Sequence, residues 1–432
     1  MRDFARSDNS AVQEQLDRLA QLSVPDGRLG LETIRALLDR LGNPHRKLPP
    51  VFHVAGTNGK GSTCAFLRAM LEAEGYKVHV TTSPHLVRYN ERIRVAGELI
   101  SDERLAELLA EVRDAGEDLN PSFFEVTIAA AFTEFARVPA DACVVEVGLG
   151  GRFDATNVLE SDVLAACGIA ALGIDHERFL LVPEDGVPEE PIARIAFEKA
   201  GIAKHGIPLV TTNYLPEIEA EIRASARKVG AIFLPFIEDW HIGGVGDVVY
   251  EDTSGKIRLE SLRLLGKHQI RNAGLAIAML RHQQKLSISD AAISHGAQTV
   301  NWPARMQRLS IGPLTVLARE NDTWLDGGHN ASAGQAIAEH FDRPLHLIIG
   351  MLDNKNPRSL IEPLSDRIRS LTVVPVPHHE SHPVEAFGPE AKQAKDIEDA
   401  LLGIPDDDVP VLIAGSLYLA GEVLRLNDEL PD

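Results

Sequence analysis

The sequence predicts an α/β fold divided into two domains, and three observations support this prediction. Short apolar runs alternate with stretches of helical periodicity over almost the whole chain, a pattern typical of parallel sheets with right-handed crossovers. The 432 residues exceed what a single hydrophobic core usually spans. A second series of strands and helices begins after the helical stretch 287–299. We therefore place the boundary between residues 299 and 300, with 300–303 as the hinge.

Each predicted element rests on its own local pattern. In the first domain, apolar runs predict strands at 51–55, 77–81, 143–147, 163–169, 209–212 and 232–234, and helical spacing predicts helices at 62–74 and 121–136. Residues 247–251 and 256–260 flank a short turn sequence, so they predict a hairpin and one antiparallel edge. In the second domain, the predicted strands are 323–325, 345–350, 371–374 and 409–414.

Composition limits the classes of function. A formal net charge of −20 disfavours nonspecific binding to nucleic acid or to an anionic membrane. The three widely spaced cysteines give no disulfide framework and favour a reducing compartment. The N-terminus shows no signal-peptide pattern, and no apolar stretch approaches the length needed to span a bilayer. We expect a soluble cytoplasmic protein that must concentrate positive charge or metal locally to bind anionic substrates.

A glycine-rich segment between a predicted strand and a predicted helix is the most informative motif. It comprises Gly56, Thr57, Asn58, Gly59, Lys60, Gly61, Ser62 and Thr63. Glycines let consecutive backbone N–H groups surround phosphate oxygens, and the helix N-terminus adds partial positive charge. We expect Lys60 to reach the terminal phosphates of a nucleotide and Ser62 to ligate Mg²⁺. Because Gly61 interrupts the strict G-x-x-x-x-G-K-[ST] pattern, a turn without a ligand is the alternative, but the strand–loop–helix context favours ATP.

Two strand ends and one lysine are further candidates. Glu146 ends the apolar run 143–145, and open α/β sheets bind ligands at the carboxyl ends of their strands. Beside ATP, Glu146 could ligate Mg²⁺, whereas on its own it would be a surface acid. Asp175-His176 ends another apolar run, and Lys199 would ordinarily be a solvated cation. These residues gain meaning only together with the glycine-rich segment.

An ordered series of short motifs runs over nearly the whole chain. The motifs are Leu41-Gly42-Asn43-Pro44-His45, 56–62, Ser83-Pro84-His85-Leu86, Glu91-Arg92-Ile93-Arg94, Phe123-Phe124-Glu125, 146–152, Asp154-Ala155-Thr156-Asn157, Asp175-His176, 198–202, Gly266-Lys267-His268-Gln269, Asn272-Ala273, Trp302-Pro303-Ala304-Arg305, 326–330 and 415–419. In this order, the motifs resemble those of the folylpolyglutamate synthase/dihydrofolate synthase family within the Mur ligase superfamily. One such motif could occur by chance, but the ordered series is highly specific.

The resemblance implies both an architecture and a reaction. Residues 1–299 would form an N-terminal P-loop ATPase domain of the Mur ligase type, with a mainly parallel sheet. Residues 300–432 would form a smaller, Rossmann-like C-terminal glutamate-ligase domain. The enzyme would be a monomeric, ATP-dependent ligase of the bifunctional bacterial type. It would join L-glutamate to dihydropteroate and to reduced folates through an acyl phosphate.

The resemblance also implies the metal ligands. Ser62, Ser83 and Glu146 would hold one Mg²⁺, and Glu146 with His176 would hold a second. Lys199 matches the family lysine that becomes carbamylated, which turns a cation into an anionic oxygen ligand for the second metal. Lys60 and Lys199 would thus both serve catalysis.

The remaining implied roles concern the substrates. Asn272, Arg305 and Asp326 would bind the nucleotide, the last two from the C-terminal domain. His329 and Ser416 would face the amino acid and the transferring phosphate.

A third implied set would line the pterin side of the substrate. It consists of Arg92, Phe124 and Asp154, of which Asp154 resembles the contact for dihydropteroate in bifunctional members.

Three departures from the family pattern concern fine specificity rather than the reaction class. Residues 182–190 form an insertion between His176 and Lys199, expected as a surface loop that could change how the second metal site closes. Asn354-Lys355-Asn356 stands where the family has Asp-Lys-Asp, and Ala331 stands where it has Pro.

Other functions remain open from the sequence. The chain could be another Mur-superfamily amino-acid ligase, or a folylpolyglutamate synthase without dihydrofolate synthase activity. An NTPase switch or motor would leave the motifs 326–330 and 415–419 without a role. A non-catalytic binding module is disfavoured because Lys60, Ser62, Glu146 and His176 are all present.

Overall fold

The computed structural model describes residues 7–22, 30–174, 176–244, 247–319 and 321–431. The chain divides into two compact units, Met1–Arg263 with Gln269–Asn301, and Leu264–His268 with Trp302–Asp432. The assignment changes between Asn301 and Trp302, inside the segment 300–303. That this segment works as a hinge stays a prediction.

The first unit is built on an eight-stranded sheet. Its strands are β1 Val51–Ala55, β2 Val78–Thr81, β3 Ile93–Val95, β4 Glu98–Leu99, β5 Ala142–Glu146, β6 Leu164–Ile169, β7 Pro208–Thr211 and β8 Ile232–Pro235. Their order is β4-β3-β2-β5-β1-β6-β7-β8. Strands β2, β5, β1, β6, β7 and β8 are mutually parallel, and β3 and β4 pair antiparallel. The predicted mainly parallel α/β architecture is confirmed.

Helices cover this sheet. They are α1 Ser10–Leu19, α2 Glu32–Arg40, α3 Lys60–Ala73, α4 Asp102–Ala115, α5 Phe123–Arg137, α6 Glu177–Leu180, α7 Pro191–Ala200, α8 Pro216–Val229, α9 Lys267–His282 and α10 Asp290–Thr299. Every residue of β1, β2, β5, β6 and β7 is buried, as expected for parallel strands with both faces covered.

Helix α3 matters most for the site because it carries the glycine-rich loop at its N-terminus. Its side chains Phe66, Leu67, Met70 and Leu71 are fully buried, and each such burial stabilises the fold by about 1.5–3 kcal/mol. A Cβ added at Gly296 of α10 would lie 2.6 Å from the Met70 backbone, so the two helices pack closely. Helix α3 is therefore held in place by its buried side chains and by close packing against α10.

The predicted hairpin exists, but it does not edge the large sheet. Strands β10 Val248–Asp252 and β11 Gly255–Leu259 pair antiparallel, and β9 Trp240–Gly243 joins them in a separate three-stranded sheet. The antiparallel edge of the large sheet comes instead from β3 and β4, which the sequence analysis missed. These two strands are only three and two residues long, too short to show an alternating pattern.

The second unit has a six-stranded sheet of its own. Its strands are β12 Gln307–Arg308, β13 Thr323–Leu325, β14 Leu345–Ile349, β15 Ile368–Val373, β16 Ala391–Gln393 and β17 Val411–Ala414. The order is β12-β13-β17-β14-β15-β16, with β12 antiparallel and the other strands parallel. Its helices are α11 Pro313–Leu317, α12 Ala331–His340, α13 Pro357–Ile361, α14 Ile397–Leu402 and α15 Leu417–Leu426.

Two sequence expectations concern chemistry rather than topology. All three cysteines, Cys64, Cys143 and Cys167, are free and buried, so the expected absence of a disulfide framework is confirmed. Within the part of the chain that the structure describes, no helix combines the length and apolarity that crossing a bilayer requires.

Candidate active site

Strand order brings the predicted site residues of the first unit together. Strand β1 lies between β5 and β6, and its parallel register places Val54 beside Glu146. Strand β2 lies on the other side of β5 and places Thr81 beside Val145. The segments that follow β1, β2, β5 and β6 therefore leave the sheet at the same edge, where open α/β sheets bind ligands.

The loop after β1 needs glycine at two positions. Gly56 and Gly59 have φ values of +150° and +84°, a region of backbone conformation that side chains disfavour. A Cβ at Gly59 would also lie 2.4 Å from Oδ1 of Asn272. Asn272 is buried on α9 and donates to Gln269 Oε1 at 3.0 Å. The predicted nucleotide residue Asn272 thus packs directly against the glycine loop.

The segment after β6 fixes the other side of the loop. The backbone N–H groups of Thr57 and Asn58 donate to the Ala171 carbonyl at 2.8 and 3.1 Å. The Thr57 hydroxyl donates to the Gly173 carbonyl at 2.8 Å and lies 3.1 Å from the Gly173 amide. Thr57 therefore fixes the conformation of the glycine-rich loop, a role that the sequence pattern alone did not reveal.

A lysine–carboxylate pair lies at the start of α3. The Lys60 ammonium is 3.9 Å from Glu146 Oε1 and 3.4 Å from the Thr57 carbonyl. The Ser83 backbone N–H donates to Glu146 Oε2 at 3.2 Å. Glu146 is only 5% exposed, whereas the Lys60 side chain is 17% exposed. The cation thus has solvent access beside a buried carboxylate.

A cleft opens beside this pair. It is lined by Gly56, Thr57, Lys60, Val147, Gly148, Gly150, His176 and Lys199. Of these, Val147, Gly148 and Gly150 were not among the predicted site residues. The run of glycines directly after the strand-ending Glu146 was the signal that could have identified them. Asp175, the partner of His176 in the motif, lies outside the described residues.

Lys199 lies deep in this cleft. It is 4% exposed near the end of α7, and its ammonium lies 3.5 Å from the Gly150 carbonyl. A Cβ at Gly151 would lie 2.7 Å from the Glu198 carbonyl and 3.0 Å from Lys199 Cα, so the glycine run and α7 approach as closely as backbones can. The buried lysine is therefore fixed relative to the loop that follows Glu146.

The oxygen donors present suit a hard cation whose remaining coordination positions are filled by phosphate oxygens. Among the described residues, no three His, Cys, Asp or Glu side chains come close enough together to hold a metal ion. Mg²⁺ sites in ATP-dependent enzymes often use one or two protein oxygens, with phosphate and water supplying the rest. The Glu146 carboxylate and the Ser62 hydroxyl, both buried, fit this pattern. Lys199 as an amine does not ligate Mg²⁺, but its carbamate would.

The predicted pterin residues Arg92 and Phe124 have different surroundings. Arg92 is 2% exposed, donates to His85 Nδ1 at 3.0 Å and lies over the Tyr89 ring at 4.9 Å. Burial, reinforced by Arg92, holds the pKa of His85 well below its usual range, so His85 is neutral and accepts this bond. Phe124 instead packs against the glycine run, because a Cβ at Gly148 would lie 2.3 Å from its ring.

Asp154 lies inside the loop that follows the glycine run. It is 3% exposed and accepts from the Leu149 amide at 2.8 Å and from the Thr156 amide and hydroxyl at 3.0 and 2.5 Å. Thr156 also contacts His53 Nε2 at 2.8 Å. Burial raises the pKa of Asp154, and the hydrogen bonds from Thr156 oppose that rise. In this arrangement both carboxylate oxygens hold the loop.

The second unit has a polar cluster of its own at the ends of β13 and β17. Asp326 accepts from the Met306 amide at 2.8 Å and from the Gly328 amide at 2.7 Å. His329 Nδ1 lies 3.1 Å from the Gly327 carbonyl. Ser416 is the N-cap of α15, and its hydroxyl accepts from the Tyr418 amide at 3.1 Å.

Backbone bonds hold this second cluster together. The Gly415 amide donates to the Gly328 carbonyl at 3.0 Å, which joins the two predicted motifs. The Arg305 guanidinium donates to its neighbour's carbonyl, that of Ala304, at 3.2 Å, and would lie 2.9 Å from a Cβ at Gly327. The structure therefore brings Arg305, Asp326, His329 and Ser416 together within the second unit.

Known proteins resemble the chain over nearly its whole length. No protein-family model matches the sequence. The dihydrofolate synthase/folylpolyglutamate synthase of Bacillus subtilis is 34% identical over an alignment 436 residues long, which covers 92% of this chain and 94% of the relative. Escherichia coli FolC in complex with DHPP and ADP superimposes with a TM-score of 0.84 at 28% identity, over 98% of this chain and 99% of its own. The bifunctional enzyme of Yersinia pestis, complexed with AMPPNP and Mn ion, gives 0.82 at 26% identity, over 97% and 99%.

Proposed function

Because the chain belongs to the folylpolyglutamate synthase/dihydrofolate synthase family, we propose that the cleft beside Lys60 and Glu146 activates a folate carboxylate with ATP. The chain is an ATP-dependent ligase that adds L-glutamate to folates. The observation that carries the proposal is the position of the Lys60 ammonium, 3.9 Å from Glu146 at the N-terminus of α3. A cation, a buried carboxylate and a glycine loop together suit the phosphates of MgATP.

The chemistry explains why such a cleft is needed. A carboxylate does not react with an amine at neutral pH because its oxyanion is a poor leaving group. Phosphorylation gives an acyl phosphate, from which the glutamate amine displaces phosphate. Two anions must first approach each other, so Lys60 and the backbone amides at the N-terminus of α3 neutralise the terminal phosphate. The chain needs no nucleophile of its own, and positioning does most of the work.

A divalent metal would supply further positive charge between the phosphates and the carboxylate. Glu146 and Ser62, with Ser83, are the residues that we propose to hold one Mg²⁺. We propose that a carbamate on Lys199, with Glu146 and His176, holds a second. The burial of Lys199 beside Gly150 and His176 supports this assignment. A buried ionisable group that lines a ligand cleft is a candidate for a functional role.

The carbamate is tested by replacing Lys199 with Ala. Activity should fall sharply and should recover partly when a short carboxylate such as acetate or propionate is added. Full activity of Lys199→Ala without any addition would exclude the carbamate while leaving the first metal site intact.

The second unit supplies the remaining roles in the proposal. From the family resemblance we propose that Arg305 and Asp326 take part in nucleotide binding, as does Asn272, and that His329 and Ser416 face the amino acid and the transferring phosphate. His329→Ala should raise the KM for L-glutamate more than the KM for ATP. An equal rise in both constants would argue against a specific role in glutamate binding.

We propose both acceptors, dihydropteroate and reduced folates, with Arg92, Phe124 and Asp154 on the pterin side. The bifunctional names of the B. subtilis and Y. pestis relatives support this. The test is phosphate release that depends on ATP, Mg²⁺ and L-glutamate, with dihydropteroate and tetrahydrofolate compared as acceptors. Release with both is expected. Release with tetrahydrofolate alone would remove the dihydrofolate synthase activity, and release with neither would favour another acid acceptor. A monomer and a cytoplasmic location remain predictions from the sequence.

A further inference from the structure

An ion-pair network lies beside the cleft, and the reaction proposed above gives it no role. It consists of Arg152, Glu184, Arg194 and Glu198, which we call the arginine–glutamate square. Arg152 donates to both oxygens of Glu184, at 3.2 and 2.6 Å, and to both oxygens of Glu198, at 3.1 and 2.7 Å. Arg194 donates to Glu184 at 3.0 Å and to Glu198 at 3.1 Å.

The square is shielded from solvent and balanced in charge. Its side chains are 21% exposed for Arg152, 17% for Glu184, 6% for Arg194 and 5% for Glu198. The square pairs two guanidinium groups with two carboxylates. If one carboxylate is removed, both guanidinium groups must share the remaining one. Breaking a shielded pair from one side is far more disruptive than breaking an exposed one.

Three residues of the square, Arg152, Arg194 and Glu198, belong to segments that line the cleft. Arg152 ends the glycine run, and its backbone N–H donates to the Glu198 carbonyl at 2.7 Å. Glu198 immediately precedes Lys199 on α7. The Arg152 guanidinium also lies over the rings of Phe153 and Phe197, at 4.2 and 4.9 Å, which limits its freedom to move.

The fourth residue, Glu184, comes from the insertion 182–190. This segment follows α6, the short helix that begins directly after His176. Leu180 of α6 is buried, and a Cβ at Gly150 would lie 2.8 Å from its side chain. Most of the insertion is exposed, but Glu184 is partly buried and contacts Arg152 and Arg194. Through these contacts the insertion joins the segment after His176 to both the glycine run and α7.

We propose that Glu184 is a positioning residue for the metal-binding side of the cleft. By bridging Arg152 and Arg194, it fixes the glycine run and α7 against each other and so sets where Lys199 lies relative to Gly150 and His176. This inference rests on the proposed metal role of Lys199. It assigns to the insertion a function that a surface loop would not have.

The test compares two neutralising variants in the same segment. Glu184→Gln removes the charge from the square, whereas Asp185→Asn makes the same change at the adjacent, exposed residue. Mn²⁺ binding to the protein with a non-hydrolysable ATP analogue is measured by electron paramagnetic resonance, and the Mg²⁺ dependence of turnover is measured in parallel. Thermal melting reports whether each variant is folded.

We expect Glu184→Gln to weaken Mn²⁺ binding and to raise the Mg²⁺ concentration needed for half-maximal rate, each roughly 10- to 100-fold, as removal of a residue that orients metal ligands typically does. The KM for dihydropteroate should stay unchanged, and Asp185→Asn should match the unaltered protein. Glu184→Asp, which keeps the charge on a shorter side chain, should give an intermediate loss. It also keeps the test valid if the Gln variant does not fold.

Two outcomes separate this inference from the proposed function. If Lys199→Ala abolishes activity but Glu184→Gln and Glu184→Asp bind Mn²⁺ as tightly as Asp185→Asn, Glu184 has no positioning role and only the inference fails. If Lys199→Ala retains full activity and Mn²⁺ affinity, the proposed second metal site fails, and the inference fails with it.

Discussion

The two units place polar motifs at equivalent points of their sheets but use them differently. In the first unit, Lys60 and Glu146 meet beside a cleft, and most of the hydrogen bonds that shape the loop come from its backbone and Thr57. In the second unit, Asp326 and Ser416 themselves accept the backbone bonds that shape their loops. The glycine loop of the first unit is therefore shaped largely without Lys60, whereas in the second unit the proposed functional side chains Asp326 and Ser416 also hold the backbone.

This difference predicts which kind of damage each substitution causes. A side chain that does not support the backbone can be removed with loss of activity and little loss of stability. Removing a side chain that accepts hydrogen bonds from the backbone should lower both activity and stability. The predictions below run from the largest expected effect to the smallest.

Lys60→Ala should abolish most of the activity while leaving the fold intact. Removing one preorganised charge from a phosphoryl-transfer site costs roughly 10²- to 10³-fold in rate. Steady-state kinetics with MgATP, together with thermal melting, measure both effects. Lys228→Ala, on the exposed face of α8, is the matched control and should be indistinguishable from the unaltered protein. A Lys60 variant that keeps its rate would show that the cleft is not where phosphate is transferred.

Asp326→Asn should affect stability, in contrast to Lys60→Ala. The amide retains one acceptor oxygen, so one of the two backbone N–H groups that Asp326 accepts loses its partner. Leaving such a group buried and unpaired costs about 1–3 kcal/mol in the free energy of unfolding. Urea denaturation measures this, with the exposed Asp366→Asn as control. Unchanged stability with lost activity would mean that the two units do not differ as described.

Gly59→Ala tests the framework of the first site. The residue has φ +84°, where an L-residue costs about 1–2 kcal/mol relative to Gly, and the new Cβ would meet Asn272 Oδ1. Combining it with Asn272→Ala should remove the collision but not the backbone strain. The double variant should therefore be more stable than the sum of the single effects predicts. Strict additivity in urea denaturation would show that the two residues do not interact.

Ser416→Ala should produce the smallest change in stability, about 1 kcal/mol, because it removes a helix N-cap bond. Ser101→Ala removes a comparable N-cap bond from α4, and Ser101 belongs to none of the predicted motifs. Both variants should lose similar stability, but only Ser416→Ala should raise the KM for L-glutamate. If neither variant changes that constant, Ser416 is a structural cap and nothing more.

The sequence predicted the framework of the first site better than its contacts. The strand at Val51–Ala55 and the helix after it were predictable because a buried apolar run, a glycine loop and a stretch of helical spacing occur in order. The pairing of Lys60 with Glu146 depends on strand order, since 86 residues separate them, and no local pattern encodes that order. The motif resemblance was needed to place them together.

Other features could not be predicted because they depend on tertiary contacts alone. The insertion 182–190 is mostly exposed, as expected of a surface loop, but the contacts of Glu184 with Arg152 and Arg194 are not encoded in its local sequence. Asp154 was expected at the pterin, and its internal bonds to Leu149 and Thr156 arise from the shape of the loop. Whether it also contacts substrate stays a prediction.

The most direct test of the central claim follows oxygen atoms during one turnover. Dihydropteroate labelled with ¹⁸O in its carboxylate is incubated with MgATP and L-glutamate, and the released phosphate is analysed by mass spectrometry. If the cleft forms an acyl phosphate, each phosphate released carries one ¹⁸O, and Lys60→Ala loses labelled and total phosphate together. Unlabelled phosphate, released in step with amide formation, would contradict the account, because the carboxylate would then never have been phosphorylated.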